Sequence, residues 1–372
     1  MRFLHTADWQ LGMTRHFLSP EAQARFSDAR LAAVRAIGDL AAEQHCEFVV
    51  VCGDVFDANQ LHPQVVGRAL EAMTSIPVPV YLLPGNHDTI DAGSVYRSAA
   101  FKHRCPDHVH VLADPGVHEI APGIELVAAP LNVKHPLTDL PGDQCRALVP
   151  NPGVQRILVG HGAVDTLSPD PGNPATIRTG TLSDALADGR IHYVALGDRH
   201  STTQVAGRAI WYSGAPEVTD FIETDPGNVL VVDLDRDLEA RVTHHRVGTW
   251  SFIAAERHLN RAADVEEFDR WLHDLPNKDR TVLKLGLVGS ISVADKARLD
   301  EITDTHSDVF AALNVSSRRS DLAVLPDDHD FTDLGLSGIV AAAAQELVGA
   351  AAGDPAAQDA LSLLYRLARS AA

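Results

Sequence analysis

The chain has 372 residues, 45% of them apolar, enough for a sizeable core and more than one small domain needs. With 31 Lys and Arg against 50 Asp and Glu, its formal charge is -19. Such a surface repels nucleic acid at long range unless basic groups cluster locally or a partner supplies them.

Arg2 to Leu4 reads as a short strand that stops at the polar string Thr6-Ala7-Asp8. From Pro20 to about Gln44 the residues Phe26, Ala29, Ala33, Ile37 and Leu40 recur at helical spacing, and Phe48 to Cys52 is a buried strand ending at Gly53-Asp54. The unit repeats as a helix near Pro63 to Ser75 and a strand Val78 to Leu83, which stops at Pro84-Gly85-Asn86-His87-Asp88. Further strands are expected at Val109 to Leu112, Ile124 to Ala129, Arg156 to Val159, Tyr193 to Leu196, Ala209 to Tyr212 and Val229 to Leu234. This alternation predicts an α/β layered domain with polar loops at the carboxyl ends of its strands, where sites of open sheets collect.

From about Val247 the character changes. A strand Thr249 to Ala254, a helix Val265 to Leu275, a strand Thr281 to Leu287 and a helix Val293 to Thr303 suggest a small α+β module. Pro326 to Asp333 reads as a solvated linker, and the Ala/Leu-rich tail from Ser337 to Ala371 as helix broken at Gly353-Asp354-Pro355. The cysteines, Cys46, Cys52, Cys105 and Cys145, form no C-x-x-C pair, which argues against a zinc knuckle or disulfide framework and for a reducing cytoplasm. The opening Met1-Arg2-Phe3-Leu4-His5 lacks the apolar stretch of a signal peptide, and no run reaches the about 20 apolar residues that span a bilayer, so a soluble protein is expected.

Five loops, each directly after a strand, carry residues with metal-ligand chemistry: Asp8 and Gln10; Asp54 and Asp57; Asn86, His87 and Asp88; His161; Asp198 and His200. Any one of them has a structural explanation, since Asp after a strand caps helices and Asn-His-Asp turns a chain. Five in one alternating chain point instead to a common pocket. Hydrolysing a phosphodiester at neutral pH needs an activated water and neutralised phosphoryl oxygens, which two divalent ions about 4 Å apart supply. Asp54, on a tight turn off a buried strand, is the candidate to bridge them.

The ordered set Asp8-Trp9-Gln10, Gly53-Asp54-Val55-Phe56-Asp57, Gly85-Asn86-His87-Asp88, Gly160-His161 and Gly197-Asp198-Arg199-His200 resembles the calcineurin-like metallophosphoesterase superfamily. His5-Thr6-Ala7-Asp8-Trp9, Leu11-Gly12, and Tyr212-Ser213-Gly214-Ala215-Pro216-Glu217 with Asp220-Phe221 are similar to its SbcD-type DNA repair nuclease branch. The resemblance implies a layered β-sandwich flanked by helices over residues 1–240, a smaller α+β cap over 241–325, and a C-terminal linker and helices over 326–372. It implies one ion held by Asp8, Gln10, Asp54 and His200 and a second by Asp54, Asn86, His161 and Asp198. His87 would be the acid outside the ligand set, oriented by Asp88 at its other ring nitrogen. Manganese is the expected metal, with iron, magnesium or zinc as alternatives. Implied partners are DNA, an SbcC-type coiled-coil ATPase and a second copy of the chain. Gln10 and Asp198 stand where the family usually has His, which shifts the site toward oxygen ligation. His16, like Arg15 beside it, could meet a phosphate or be a surface residue, and Arg199 could meet substrate or balance nearby carboxylates. A phosphodiesterase or phosphatase for small nucleotides, and a non-catalytic scaffold, are the competing functions.

Overall fold

A computed structural model of the chain describes residues 1–168, 170, 172–235, 240–325 and 338–351, with 354, 356, 357, 359–361, 363, 364 and 367 beyond them. It divides into two compact units: Met1–His16 with Gln23–Trp250, and Phe17–Ala22 with the chain from Ser251 onward.

The first unit opens with β1 (Arg2–Thr6), α1 (Pro20–Glu43, which belongs to this unit from Gln23 on), β2 (Val49–Cys52), α2 (Pro63–Met73), β3 (Val80–Leu83), α3 (Ala99–Lys102) and β4 (Val109–Val111). It continues with β5 (Gly116–Ala121), β6 (Ile124–Ala128), α4 (Leu140–Ala147), β7 (Gln155–His161), α5 (Thr179–Ala187), β8 (Tyr193–Gly197), β9 (Thr203–Gln204), β10 (Ile210–Tyr212), β11 (Asn228–Leu234) and β12 (Ala240–Arg246). The strands form two six-stranded sheets, ordered β12-β11-β1-β2-β3-β4 and β5-β6-β7-β8-β10-β9.

Strand β2 shows why the layers stack as they do. Its apolar run is continuous because both faces are covered. Val49 and Val51 pack with Val34, Ile37, Val66 and Leu70 of α1 and α2. Val50 and Cys52 join Phe3, Leu83, Leu126, Ile157, Val159 and Tyr193 in a core between the two sheets. On the far side Leu158, Val194 and Leu196 pack with Cys145 of α4 and Leu182 and Ala185 of α5. The result is a sandwich of sheets between helices. Fully burying each such side chain contributes about 1.5–3 kcal/mol.

Two boundaries differ from expectation. β7 runs on through His161, which continues the parallel ladder opposite Gly197, so His161 leaves from the strand's last residue and not from a loop. β12 pairs with β11 along its whole length, so the first unit extends beyond 240 to Trp250.

The second unit contains β13 (Ser251–Leu259), α6 (Ala262–Asp274), β14 (Thr281–Ser292), α7 (Val293–Ser307), β15 (Ala312–Val315), β16 (Asp321–Leu325) and α8 (Gly338–Ala351). β14 pairs in parallel with β13, β15 and β16. Leu283, Leu285 and Leu287 of β14 pack with Phe268 and Leu272 of α6 and Leu299 and Ile302 of α7. The expected linker at 326–333 lies outside the described residues, as do Gly353 and Pro355 of the expected helix break; α8 ends before them, at Ala351. Among the described residues no helix is long and apolar enough to cross a membrane.

Candidate metal centre

β1 and β2 are parallel neighbours, and their loops stay paired after the strands end. Asp8 N donates to the Gly53 carbonyl at 3.0 Å, Gln10 N to the Asp54 carbonyl at 2.9 Å, and Leu11 N to the Val55 carbonyl at 2.9 Å. Within this zipper Asp8, Gln10 and Asp54 adopt φ of 54°, 49° and 53°; Asp198, after β8, has φ 95°. A left-handed backbone at a residue other than glycine costs on the order of 1–3 kcal/mol and persists where the surroundings over-determine it, most often at functional sites. Gly197 is required by the approach of β8 to β2: a Cβ there would overlap the Cys52 carbonyl and press on Ala7 and His161.

A buried histidine ties the two sheets together just behind these loops. His5 of β1 lies 3.1 Å from the Tyr193 hydroxyl and 3.2 Å from the Leu196 carbonyl of β8. Burial drives its pKa down to about 3, so the ring is neutral, donating from Nε2 to Leu196 and accepting at Nδ1 from Tyr193. The strands that deliver Asp8 and Asp198 are thereby joined side to side.

The seven expected ligands come together. Ligand atoms of Asp8, Asp54 and His161 lie within 4.8 Å of one another, all three buried. Gln10 Nε2 donates to Asp54 Oδ2 at 2.9 Å. His161 Nε2 stands 2.8 Å from the Asn86 amide, 3.5 Å from Asp54 Oδ1 and 3.8 Å from Asp198 Oδ1. His200 Nε2 lies 3.9 Å from Asp8 Oδ1. Each imidazole is held from behind: His161 Nδ1 donates to the Cys52 carbonyl at 2.8 Å, and His200 Nδ1 meets Thr219 Oγ1 at 2.6 Å and Glu223 Oε1 at 3.0 Å. Both present Nε2 to the carboxylates, the arrangement by which outer partners orient metal-binding histidines.

The electrostatics describe a site with excess negative charge. Burial pushes Asp8 up to about 7, His200 and His161 opposing and Asp54 and Asp198 adding to the shift. For His161 burial works against the proton, yet Asp54, Asp8 and Asp198 outweigh it and raise the ring to about 9. His200 is raised in the same way, burial opposing and Asp8 and Glu223 prevailing. The gathered carboxylates therefore favour positive charge at the centre.

Whether divalent ions fit is answered by Gln10. Its amide nitrogen is engaged by Asp54, while its Oε1 is buried with no hydrogen-bond partner. An orphaned buried carbonyl costs about 1–3 kcal/mol, which a cation at that oxygen would relieve. Three carboxylates, two amides and two imidazoles form a donor set suited to hard and borderline divalent ions.

His87 stands beside Asp54, and Asp88 does not orient it. His87 Nδ1 lies 2.8 Å from the Asp57 carbonyl, leaving Nε2 facing Asp54 Oδ2 at 4.0 Å. The Asp88 carboxylate is taken up by Gly85 N at 2.7 Å, Phe56 N at 3.1 Å and the Tyr96 hydroxyl at 2.6 Å. It anchors the Asn86-His87 turn against the β2 loop. Burial first, and Asp54 second, raise it to about 6.

Gln10, His87, Asp198 and His200 open onto a cleft of about 490 Å³ whose lining includes Arg199, Arg15, Asp57, Thr219 and Glu223. His16 is exposed and outside that lining, because its neighbour Arg15 turns inward to the Thr219 carbonyl at 2.5 Å. Larger hollows of about 870 and 830 Å³ lie elsewhere on the unit and contain none of the ligand residues. Sequence reasoning missed Thr219, Glu223 and Tyr96 altogether. Glu223 follows the quoted Asp220-Phe221, so a buried carboxylate near the last ligand was visible, but its hydrogen bond to His200 was not.

The hold on His200 can be tested directly. Glu223→Gln keeps the side chain's shape but weakens that hold, and should lower metal affinity about 10- to 100-fold with little change in Tm, read by titration calorimetry and thermal melts. A large fall in Tm with unchanged metal affinity would assign Glu223 to the scaffold alone. A second expectation concerns pH. Folded-state pKa values above the ordinary ones, for Asp8, Asp88, His161 and His200, give stability that is full below the unfolded values and lost as pH rises through about 6 to 9. In chelator the site's contribution to Tm should thus fall from pH 5 to 9, and a divalent ion should reverse the loss, by about 2.7 kcal/mol at 100 times its Kd. Replacing Asp8 and Asp54 should flatten both trends.

The family model for calcineurin-like phosphoesterases matches residues 1–234. The chain is 30% identical over 119 residues to an uncharacterized metallophosphoesterase, YhaO, of Bacillus subtilis (strain 168), covering 30% of this chain and 28% of that protein. It is 31% identical over 91 residues to the DNA double-strand break repair protein Mre11 of Archaeoglobus fulgidus, covering 24% and 19%. The matched stretches thus span under a third of either relative's length. Among solved structures, TT1561 of Thermus thermophilus aligns with a TM-score of 0.40 at 10% identity over 66% of this chain and 98% of that one. A dimetal phosphatase from Danio rerio aligns with a TM-score of 0.42 at 14% identity over 66% and 96%. With the family model spanning every strand of the sandwich except β12 and every loop that feeds the centre, the chain belongs to the calcineurin-like phosphoesterase family.

Proposed function

We propose that the chain is a dinuclear-metal phosphodiesterase that cuts DNA as the nuclease of break repair, working beside an SbcC-type coiled-coil ATPase. The observation that carries the hydrolytic part is the buried cluster of Asp8, Asp54 and His161 beside a separately anchored imidazole, His87, which faces Asp54 and lines the cleft together with Gln10, Asp198 and His200. The DNA part rests on the nuclease-like motifs and is supported by the Mre11 likeness. A cytoplasmic location and homodimerisation go with the same reading.

In this reading Asp8, Gln10, Asp54 and His200 hold one ion, and Asp54, Asn86, His161 and Asp198 the other, with manganese suited to so many oxygen donors. When bound, the ions supply Lewis acidity to the phosphoryl oxygens and lower the pKa of water. The protein's own share is positional. The Asp57 carbonyl accepts from His87 Nδ1, so only the imidazolium form carries a second N–H, at Nε2, and in that form the proton can pass to the leaving oxygen. Asp54 receives His87 N at 2.9 Å and Gln10 Nε2 at 2.9 Å, which sets both carboxylate oxygens before substrate arrives. Asp88 and Tyr96 hold the turn that carries Asn86 and His87.

The deciding experiment incubates the protein in manganese with polymer DNA and, separately, with mononucleotide esters. Degradation of DNA alone supports the nuclease. Turnover of the small esters alone moves the function to a small-nucleotide phosphodiesterase, and failure to bind two divalent ions moves it to a scaffold.

A further inference from the structure

Positive charge is scarce in this chain, with 31 Lys and Arg against 50 Asp and Glu, so a guanidinium left without a carboxylate partner is informative. Arg15 and Arg199 both line the cleft that holds Gln10, His87, Asp198 and His200. Among the described residues each makes one side-chain hydrogen bond: Arg15 Nη2 to the Thr219 carbonyl at 2.5 Å, and Arg199 Nε to Thr203 Oγ1 at 3.0 Å. Among the described residues neither forms an ion pair, although the Arg15 charge acts at longer range on Asp57 of the same cleft. Arg15 Nε is buried without a partner. Its backbone is fixed too, with Arg15 N donating to Gln23 Oε1 at 2.7 Å. Its carbonyl anchor, Thr219, is the residue whose hydroxyl meets His200 Nδ1 at 2.6 Å. Arg15 is therefore built into the wall beside the Asp8–His200 half of the centre.

From this placement we propose that Arg15 is an anion subsite for a phosphate flanking the one at the metal centre. Arg199 serves on the same cleft, so the site favours a nucleotide chain over an isolated phosphate ester. The inference rests on the phosphodiesterase reading for its substrate class. A planar guanidinium with unspent donors is the side chain best matched to a phosphate group. The cleft also carries Asp57, Asp198, Asp220 and Glu223, so Arg15 and Arg199 offer two local cationic points among carboxylates and any attraction for a polyanion is confined to them.

The test measures binding, separately from turnover. A short fluorescein-labelled oligothymidylate is titrated in calcium at several salt concentrations against wild type, Arg15→Gln and Arg15→Lys. A control, Arg241→Gln, removes a charge whose side chain is 82% exposed and outside the cleft. Arg15→Gln should weaken binding about tenfold and reduce the slope of log K against log salt by about 0.7, the loss of one single-strand phosphate contact. Arg15→Lys should keep the slope and lose part of the affinity, and Arg241→Gln should match wild type. An unchanged slope in Arg15→Gln, an equal loss in Arg241→Gln, or no binding by wild type overturns the subsite. Hydrolysis of bis(p-nitrophenyl) phosphate by wild type in manganese separates the two readings. Turnover without Arg15-dependent binding sinks only the subsite, and Arg15-dependent binding without turnover sinks only the esterase.

Discussion

Asp54→Asn is expected to abolish the binding of both ions and to lower phosphodiesterase turnover on the order of 10³-fold or more. Asp54 occupies the middle of the centre: Oδ1 faces His161 at 3.5 Å and accepts His87 N, while Oδ2 accepts from Gln10 and stands 4.0 Å from His87 Nε2. An asparagine there offers one oxygen where two are needed and brings an N–H toward donors that are already present. Removing the charge also relieves repulsion on Asp8 and Asp88, both raised in part by Asp54. The metal-free variant should therefore fold, and the loss will lie in ligation. Two-ion stoichiometry by calorimetry, with turnover within tenfold of wild type, would remove Asp54 from the bridging role.

His87→Gln should behave differently. Its backbone N–H supports Asp54 and survives the substitution, so two ions should still bind. What disappears is an imidazole able to deliver a proton from Nε2, worth about 10² to 10⁴ in rate when a leaving alkoxide must be protonated. An oligonucleotide should show that full loss. An ester whose leaving group is p-nitrophenolate, which departs without a proton, should show far less. Equal losses on both would mean that His87 steadies the phosphate and does not deliver a proton.

How far the sequence could be read follows from where each residue gets its position. Asp8, Asp54, His87 and Asp198 each follow a parallel strand whose apolar run is plain in the sequence, so strand order and loop position carry them to one end of the sandwich. The partners behind them were not legible in this way. Glu223 reaches His200 through a loop with no periodic pattern, and Tyr96 reaches Asp88 from a single 3-10 turn at Val95–Arg97. The assignment of Asp88 to His87 failed because the resemblance supplies a role but not a rotamer. In the fold, two backbone amides and a phenol satisfy that carboxylate first. His16 was lost to the same cause, since which of two adjacent side chains faces a cleft depends on the backbone after Gly12, at φ 100°, and not on residue type. Short elements such as β9 and α3 were missed because two to four residues show no period.

The zipper between the loops after β1 and β2 has a calorimetric consequence. Asp8, Gln10 and Leu11 already spend their amides on Gly53, Asp54 and Val55, so ion capture need not order a disordered loop. Uptake should release little heat capacity, and those three amides should resist deuterium exchange equally with and without metal. A framework set in advance discriminates among ions by radius, because the donors cannot close around a smaller one. Exchange of the native ion for another would then register as a change in rate long before it registered as a change in shape.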